Sequence, residues 1–184
     1  SPRAIVNITV DLTGSAGDDD LQGGGANDTI VGAGGADSLT GGGGADSLSG
    51  GSANDTITGG AGADEINAGS GTNSITDAGQ GADNIAHDEA GSTVAITVTG
   101  TSDVDLDASQ TGATVSIGAV QATVSAAAST AAVTLTKTGA SSATLTGGGG
   151  ADSITGGSAA DSLTGGTAND TLVGGTGNDT IVGS

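Results

Sequence analysis

The sequence predicts an all-β fold, a right-handed parallel β-solenoid with two short strands per coil. Three observations lead there. An acidic residue followed two positions later by Leu or Ile recurs every nine residues, glycine pairs stand between the recurrences, and the 184 residues include no Phe, Tyr, Trp, Met or Cys. The first two give one turn and one short strand per nine residues. The third excludes an ordinary globule, whose core leans on large side chains contributing roughly 1.5–3 kcal/mol each on burial.

Taken in order, residues 1–13 read as an apolar lead-in coil with Val10-Asp11-Leu12-Thr13 as its strand. Over 14–86 the phase is explicit in Asp19/Leu21, Asp28/Ile30, Asp37/Leu39, Asp46/Leu48, Asp55/Ile57 and Asp64/Ile66. Asn73/Ile75 keeps the phase with a neutral amide, and Asp83/Ile85 follows after one extra residue near Asp77. Over 147–184 the period returns in Asp152/Ile154, Asp161/Leu163, Asp170/Leu172 and Asp179/Ile181, which makes blocks of eight and four units.

Each unit reads Gly-Gly-x-Gly-x-Asp-x-(Leu/Ile)-x, as in Gly174-Gly175-Thr176-Gly177-Asn178-Asp179-Thr180-Ile181-Val182 and Gly59-Gly60-Ala61-Gly62-Ala63-Asp64-Glu65-Ile66-Asn67. The pattern resembles the RTX, or hemolysin-type, nonapeptide repeat family, whose fold is a calcium-binding parallel β-roll. Two units close a coil of about 18 residues, and coils stack at roughly 4.8 Å, so the chain is expected to form a rod of roughly 50 Å. Stacking superposes Asp19, Asp37 and Asp55 on one edge and Asp28, Asp46 and Asp64 on the other. Unit charges about 5 Å apart repel by roughly 3 kcal/mol at an effective dielectric of about 20, so the array needs cations to close. Calcium suits it: it accepts six to eight oxygens in flexible geometry, magnesium demands a tighter octahedron, and zinc would want Cys or His, of which only His87 is present. The resemblance implies that turn carbonyls and the sixth-position residue of adjacent coils share each ion. That role falls on Asp19, Asp28, Asp37, Asp46, Asp55, Asp64, Asn73, Asp83, Asp152, Asp161, Asp170 and Asp179, with Asn73 weakening or deleting its site.

Between 87 and 146 the Gly-Gly turns vanish and Thr, Val, Ala and Ser dominate. The apolar rhythm continues through Ile96, Leu106, Ile117, Ala126, Leu135, Leu145 and Ile154, with Val94, Val104, Val115, Val124, Val133 and Ala143 two positions earlier, where a ligand would stand. These residues are expected to form calcium-free coils of one uninterrupted solenoid, the alternative being a small sandwich that interrupts it. Lacking both metal and large side chains, they are the expected weak point.

Composition narrows the function. Twenty-one acidic residues against two basic ones, Arg3 and Lys137, give a formal charge of −19, which repels nucleic acid and anionic headgroups and favours cations. No apolar run is long enough to insert directly into a membrane. Asp18, Asp20 and Asp88-Glu89 fall outside the ligand phase and read as solvated charge. His87 is the sole candidate base, and no nucleophile elbow, triad or His-Glu-x-x-His motif accompanies it, so the segment is expected not to be an enzyme. A regular threonine ladder of the kind that would bind ice is absent at the third repeat position, which reads Ala16, Gly25, Gly34, Gly43, Ser52, Ala61 and Ser70, then Ser158, Thr167 and Thr176. The absence of aromatics and cysteine and the Thr/Ala/Ser/Val-rich centre resemble RTX-bearing surface-layer proteins. The resemblance implies a secreted, extracellular, calcium-dependent structural segment of a bacterial S-layer, self-associating into a surface lattice. The alternative is an RTX module of an adhesin, toxin or hydrolase exported by type I secretion. With no initial Met and a last residue inside a repeat, the chain is expected to be part of a longer protein.

Overall fold

The structure, a computed structural model, describes residues 7–77, 81, 83–86, 93–98, 102–106, 113–118 and 121–183. Among these residues there are nineteen strands and no helix, running from Asp11–Thr13 to Thr180–Val182. Alternate strands belong to opposite walls: the odd ones form a ten-stranded first sheet, the even ones a nine-stranded second sheet. Neighbouring strands are parallel, and in the flanks each residue faces its counterpart two repeats on, as Ile30 faces Leu48 and Leu39 faces Ile57. The fold is therefore a parallel β-solenoid with two strands per coil.

Within an acidic block each strand turns one large side chain inward. Ile30, Leu48, Ile66 and Ile85 line the first sheet and Leu39, Ile57 and Ile75 the second, all at most 1 % exposed. The thin core follows from the glycines that frame these residues. At Gly60 the backbone has φ 116°, and a Cβ there would run into the carbonyl oxygen of Gly42 in the preceding coil, so the turn is closed to larger residues. Ala33, Ala53 and Ala168 also have positive φ, and carry the strain of an L side chain in the left-handed region.

The central coils are built differently. Three inward residues per half-coil replace one: Ala113, Val115 and Ile117 in one, Ala122, Val124 and Ala126 in the next, then Val133, Leu135 and Lys137, all buried. Each central coil also takes up more chain than a flanking one, as the pairing of Ile96 with Val115 and of Val124 with Leu145 shows, so fewer coils use the same length of sequence. The ten strands of the first sheet stack to about 43 Å at the usual inter-strand spacing, shorter than the rod expected from uniform coils.

The ladder also corrects the apolar register of this region. Ile96 faces Val115, and Val115 faces Leu135, so Ile117 stands one two-residue step further on, opposite Lys137. On the first sheet Val124 faces Leu145, which leaves Ala126 displaced in the same way. A two-residue slip keeps every side chain on its own face, and a strand with three apolar inward residues fills the core in either position. The slip puts Ala113 and Ala122 in line with Val133 and Ala143, and takes Val115 and Val124 out of that line.

Hydroxyl ladders do form, at the seventh and ninth repeat positions rather than the third. The outer face of the second sheet carries Ser38, Thr56, Ser74, Ala95, Thr114, Thr134, Ser153 and Thr171 in one rank. Thr40, Thr58, Thr76, Thr97, Ser116, Thr136, Thr155 and Val173 form the other. Asp20 heads the first rank opposite Ser38 and Gln22 the second opposite Thr40, and from Ser38 and Thr40 onward no residue in either rank is charged. β-branched Thr suits an outward strand position, so the ranks support the ladder where the core is thin.

Candidate metal centre

The phase of the sixth-position residues places them in two files, one along each edge where a strand begins. Their Oδ1 atoms are built into the backbone ladder. From Asp28 onward each accepts the main-chain N–H of the corresponding residue one coil earlier. On one edge Asp19 donates to Asp37 at 2.9 Å, Asp37 to Asp55 at 2.9 Å and Asp55 to Asn73 at 2.8 Å. On the other edge Val10 donates to Asp28, Asp28 to Asp46, Asp46 to Asp64 and Asp64 to Asp83 at 2.7–3.0 Å. The C-terminal block repeats this: Asp152 and Asp161 donate to Asp170 and Asp179 at 3.0 Å, while Val133 and Ala143 donate to Asp152 and Asp161 at 2.9 and 2.7 Å. All twelve positions singled out by the sequence thus lie in these files, and the apolar residues at the boundary keep the hydrogen bond without a carboxylate.

The second carboxylate oxygen is the chemically informative one. The Oδ2 atoms of Asp37, Asp46, Asp55, Asp152, Asp161 and Asp170 are buried and accept no hydrogen bond. Each points at the glycine that opens its own repeat. The space beside Gly14, where a Cβ would stand, lies 2.6 Å from both Asp19 Oδ2 and the Gly32 carbonyl oxygen of the next coil. The spaces beside Gly32, Gly41, Gly50, Gly147 and Gly156 bring together the same pair, a carboxylate oxygen and a main-chain carbonyl. A glycine is required there because any side chain would fill the point on which the oxygens converge. Two N-terminal aspartates have Oδ2 satisfied within their own turns: Asp19 by the Ser15 N–H at 2.6 Å and hydroxyl at 3.0 Å, and Asp28 by the Gly24 N–H at 2.6 Å.

A buried, half-satisfied carboxylate is costly without a counter-charge. Burial pushes the Asp46, Asp55 and Asp152 carboxyls above the usual aspartate range. Their backbone hydrogen bonds pull partly the other way, and the charges of Asp28, Asp37 and Asp170 next in file push up again.

Asn73 shows what a neutral group does at this position. Its Oδ1 keeps the ladder bond, but its Nδ2 donates to the carbonyls of Ala68 at 3.2 Å and Gly69 at 3.3 Å. The amide hydrogens take up two carbonyls of their own turn, of which that of Ala68 converges with Asp55 Oδ2, and Ala68 stands where every other repeat but that of Asp83 has glycine. Sequence reasoning missed a second ladder. Asp18, Asn27 and Asn54 accept the N–H groups of Ala36, Ala45 and Thr72 at 2.8, 2.9 and 2.8 Å, so Asp18 is a turn brace as well as a surface charge. An Asx residue one before the sixth position is the signal that marks it. Asp20 is exposed as expected, and His87, Asp88 and Glu89 lie outside the described residues.

These donors fit calcium. They are oxygens, a carboxylate of one coil with a main-chain carbonyl of the next, and among the described residues no three acidic or histidine side chains converge on one point. An ion here would be held largely by main-chain carbonyls, which suits a large, flexible coordination sphere better than the compact sphere of magnesium or the nitrogen and sulfur set of zinc. Comparison with known proteins agrees. The RTX calcium-binding nonapeptide repeat matches in four copies, over residues 13–48, 40–75, 138–171 and 164–184. No curated protein matches the chain as a relative. The repeats span more than half of the chain and hold every residue of the two files but Asp83, so the chain belongs to the RTX calcium-binding nonapeptide repeat family.

Proposed function

We propose that this chain is a calcium-dependent structural segment of a secreted bacterial surface-layer protein, without enzymatic activity, that folds and assembles outside the cell as it binds calcium. The reading rests on the file of buried Oδ2 atoms with no hydrogen-bond donor. Calcium ions seated between coils neutralise the carboxylates of Asp19, Asp28, Asp37, Asp46, Asp55, Asp64, Asp83, Asp152, Asp161, Asp170 and Asp179, and the Asn73 amide ends one file. On this reading the chain divides into a lead-in at 1–13, calcium-bearing coils at 14–86 and 147–184, and calcium-free coils at 87–146. Where calcium is scarce, as in the cytosol, charge repulsion keeps the acidic blocks open, and outside the cell metal binding becomes folding free energy.

The outer face of the second sheet, neutral from Ser38 and Thr40 onward, supports assembly. In a chain of charge −19, the two hydroxyl ranks give copies a surface on which to approach without charge repulsion. Sedimentation velocity in calcium tests this. The parent chain self-associates, whereas Thr58→Asp combined with Thr136→Asp stays monomeric with an unchanged far-UV spectrum. A parent chain that stays monomeric at all concentrations in calcium removes the lattice reading and leaves the adhesin, toxin or hydrolase module.

A further inference from the structure

Lys137 is the largest fully buried side chain among the described residues, 2 % exposed, in a chain with only two basic residues. Its ammonium donates to the Gly118 carbonyl oxygen at 2.8 Å. Lys137 pairs with Ile117 on one side, and since Leu135 faces Ile154 and Thr136 faces Thr155, the corresponding position in the following coil is Gly156. Beside Gly156 the Asp161 Oδ2 and the Gly174 carbonyl converge, and Asp161 Oδ2 is buried without a hydrogen bond. Lys137 therefore enters the same file one coil before the first carboxylate of the C-terminal block on that edge. At the ligand register of that coil stands Ala143, whose N–H binds Asp161 Oδ1 but which brings no charge. The Lys137 stem packs in this file as well, since a Cβ on Gly157 would lie 3.3 Å from Lys137 Cγ.

We propose that the Lys137 ammonium is a tethered cation that takes, at the boundary between the central coils and the C-terminal acidic block, the station a calcium ion takes within the block. It bonds a main-chain carbonyl, as calcium would, and offsets the Asp161 charge from the side on which no second carboxylate exists. Burial lowers the Lys137 pKa while the Asp161 charge raises it, which is the balance expected of a desolvated ammonium in an acidic file. The inference rests on the calcium reading, and it makes the C-terminal block need fewer ions than its repeats suggest.

Calorimetric ion counting and calcium-titrated far-UV dichroism on the full chain test it, with Lys137→Gly and Lys137→Met. Lys137→Gly reopens the station, and this variant binds one calcium ion more than the parent. Lys137→Met fills the station without charge; the ion count stays as in the parent and the folding midpoint moves several-fold to higher calcium. Parent-like counts and midpoints in both variants reduce Lys137 to a packing residue and overturn the proposal. A parent chain that binds no calcium overturns the underlying calcium reading, a result distinct from unchanged variants.

Discussion

At the scale of the residue, the two oxygens of one carboxylate divide the work of the site. Oδ1 belongs to the backbone ladder, and Oδ2 has no donor within the chain at Asp37, Asp46, Asp55, Asp152, Asp161 and Asp170. Asn73 is the natural comparison, because its amide satisfies both halves internally. Asp46→Asn is therefore expected to act with opposite signs in the two states. In calcium it deletes a ligand, lowers the ion count and lowers the melting temperature. In chelator it relieves an unsatisfied buried group, a gain of about 1–3 kcal/mol. Thermal melts in both buffers check this, and a change of the same sign in both contradicts it. The phase of the sixth-position residues was legible because Asp and Leu or Ile recur at a fixed interval. Lys137 was not: a lone lysine in a polar tract reads as surface, and only the ladder that sets it opposite Ile117 puts it inside.

Strands and files carry the next level. Most acidic strands hold one large apolar residue each between an aspartate and a glycine or alanine, whereas the half-coils from Ala113 to Lys137 turn three residues inward. On the proposed reading the central coils therefore owe their stability to apolar packing and the flanking coils to charge compensation. The inward positions of Ile96, Leu106 and Leu135 were legible from the apolar rhythm, since an inward residue stays inward under any two-residue slip. Which residue faces which was not, because Val115 and Ile117 fill the core equally well and the choice is made by the neighbouring strand. The files also set a pH dependence. Asp46, Asp55 and Asp152 have raised pKa values in the folded chain, so the metal-free fold binds more protons than the unfolded chain above the ordinary aspartate value of 3.8. The associated stability is present below that value and lost as pH rises through the raised ones. In chelator, these carboxyls should hold β content highest below about pH 4 and let it fall toward neutrality. In calcium the slope reverses, because acid protonates the ligands and releases the ion. Dichroism-monitored melts across this range check both slopes, and parallel profiles would sink the charge-compensation argument.

For the whole molecule, a formal charge of −19, a core without aromatics and turns dense in glycine are the reasons the proposed reading gives the ions the main part in driving folding. The fold class was legible at this scale, because a nine-residue phase with glycine turns admits few architectures. Coil number was not, since the central coils are longer than the flanking ones and the apolar rhythm alone does not show where each closes. The most direct test is far-UV circular dichroism of the metal-free chain during calcium titration, with magnesium as control and bound ions counted by calorimetry. The expected result is a cooperative coil-to-β transition that calcium drives and magnesium does not, with several ions bound per chain. A β spectrum that chelator leaves unchanged would contradict it and assign the stability of the fold to the apolar central coils alone.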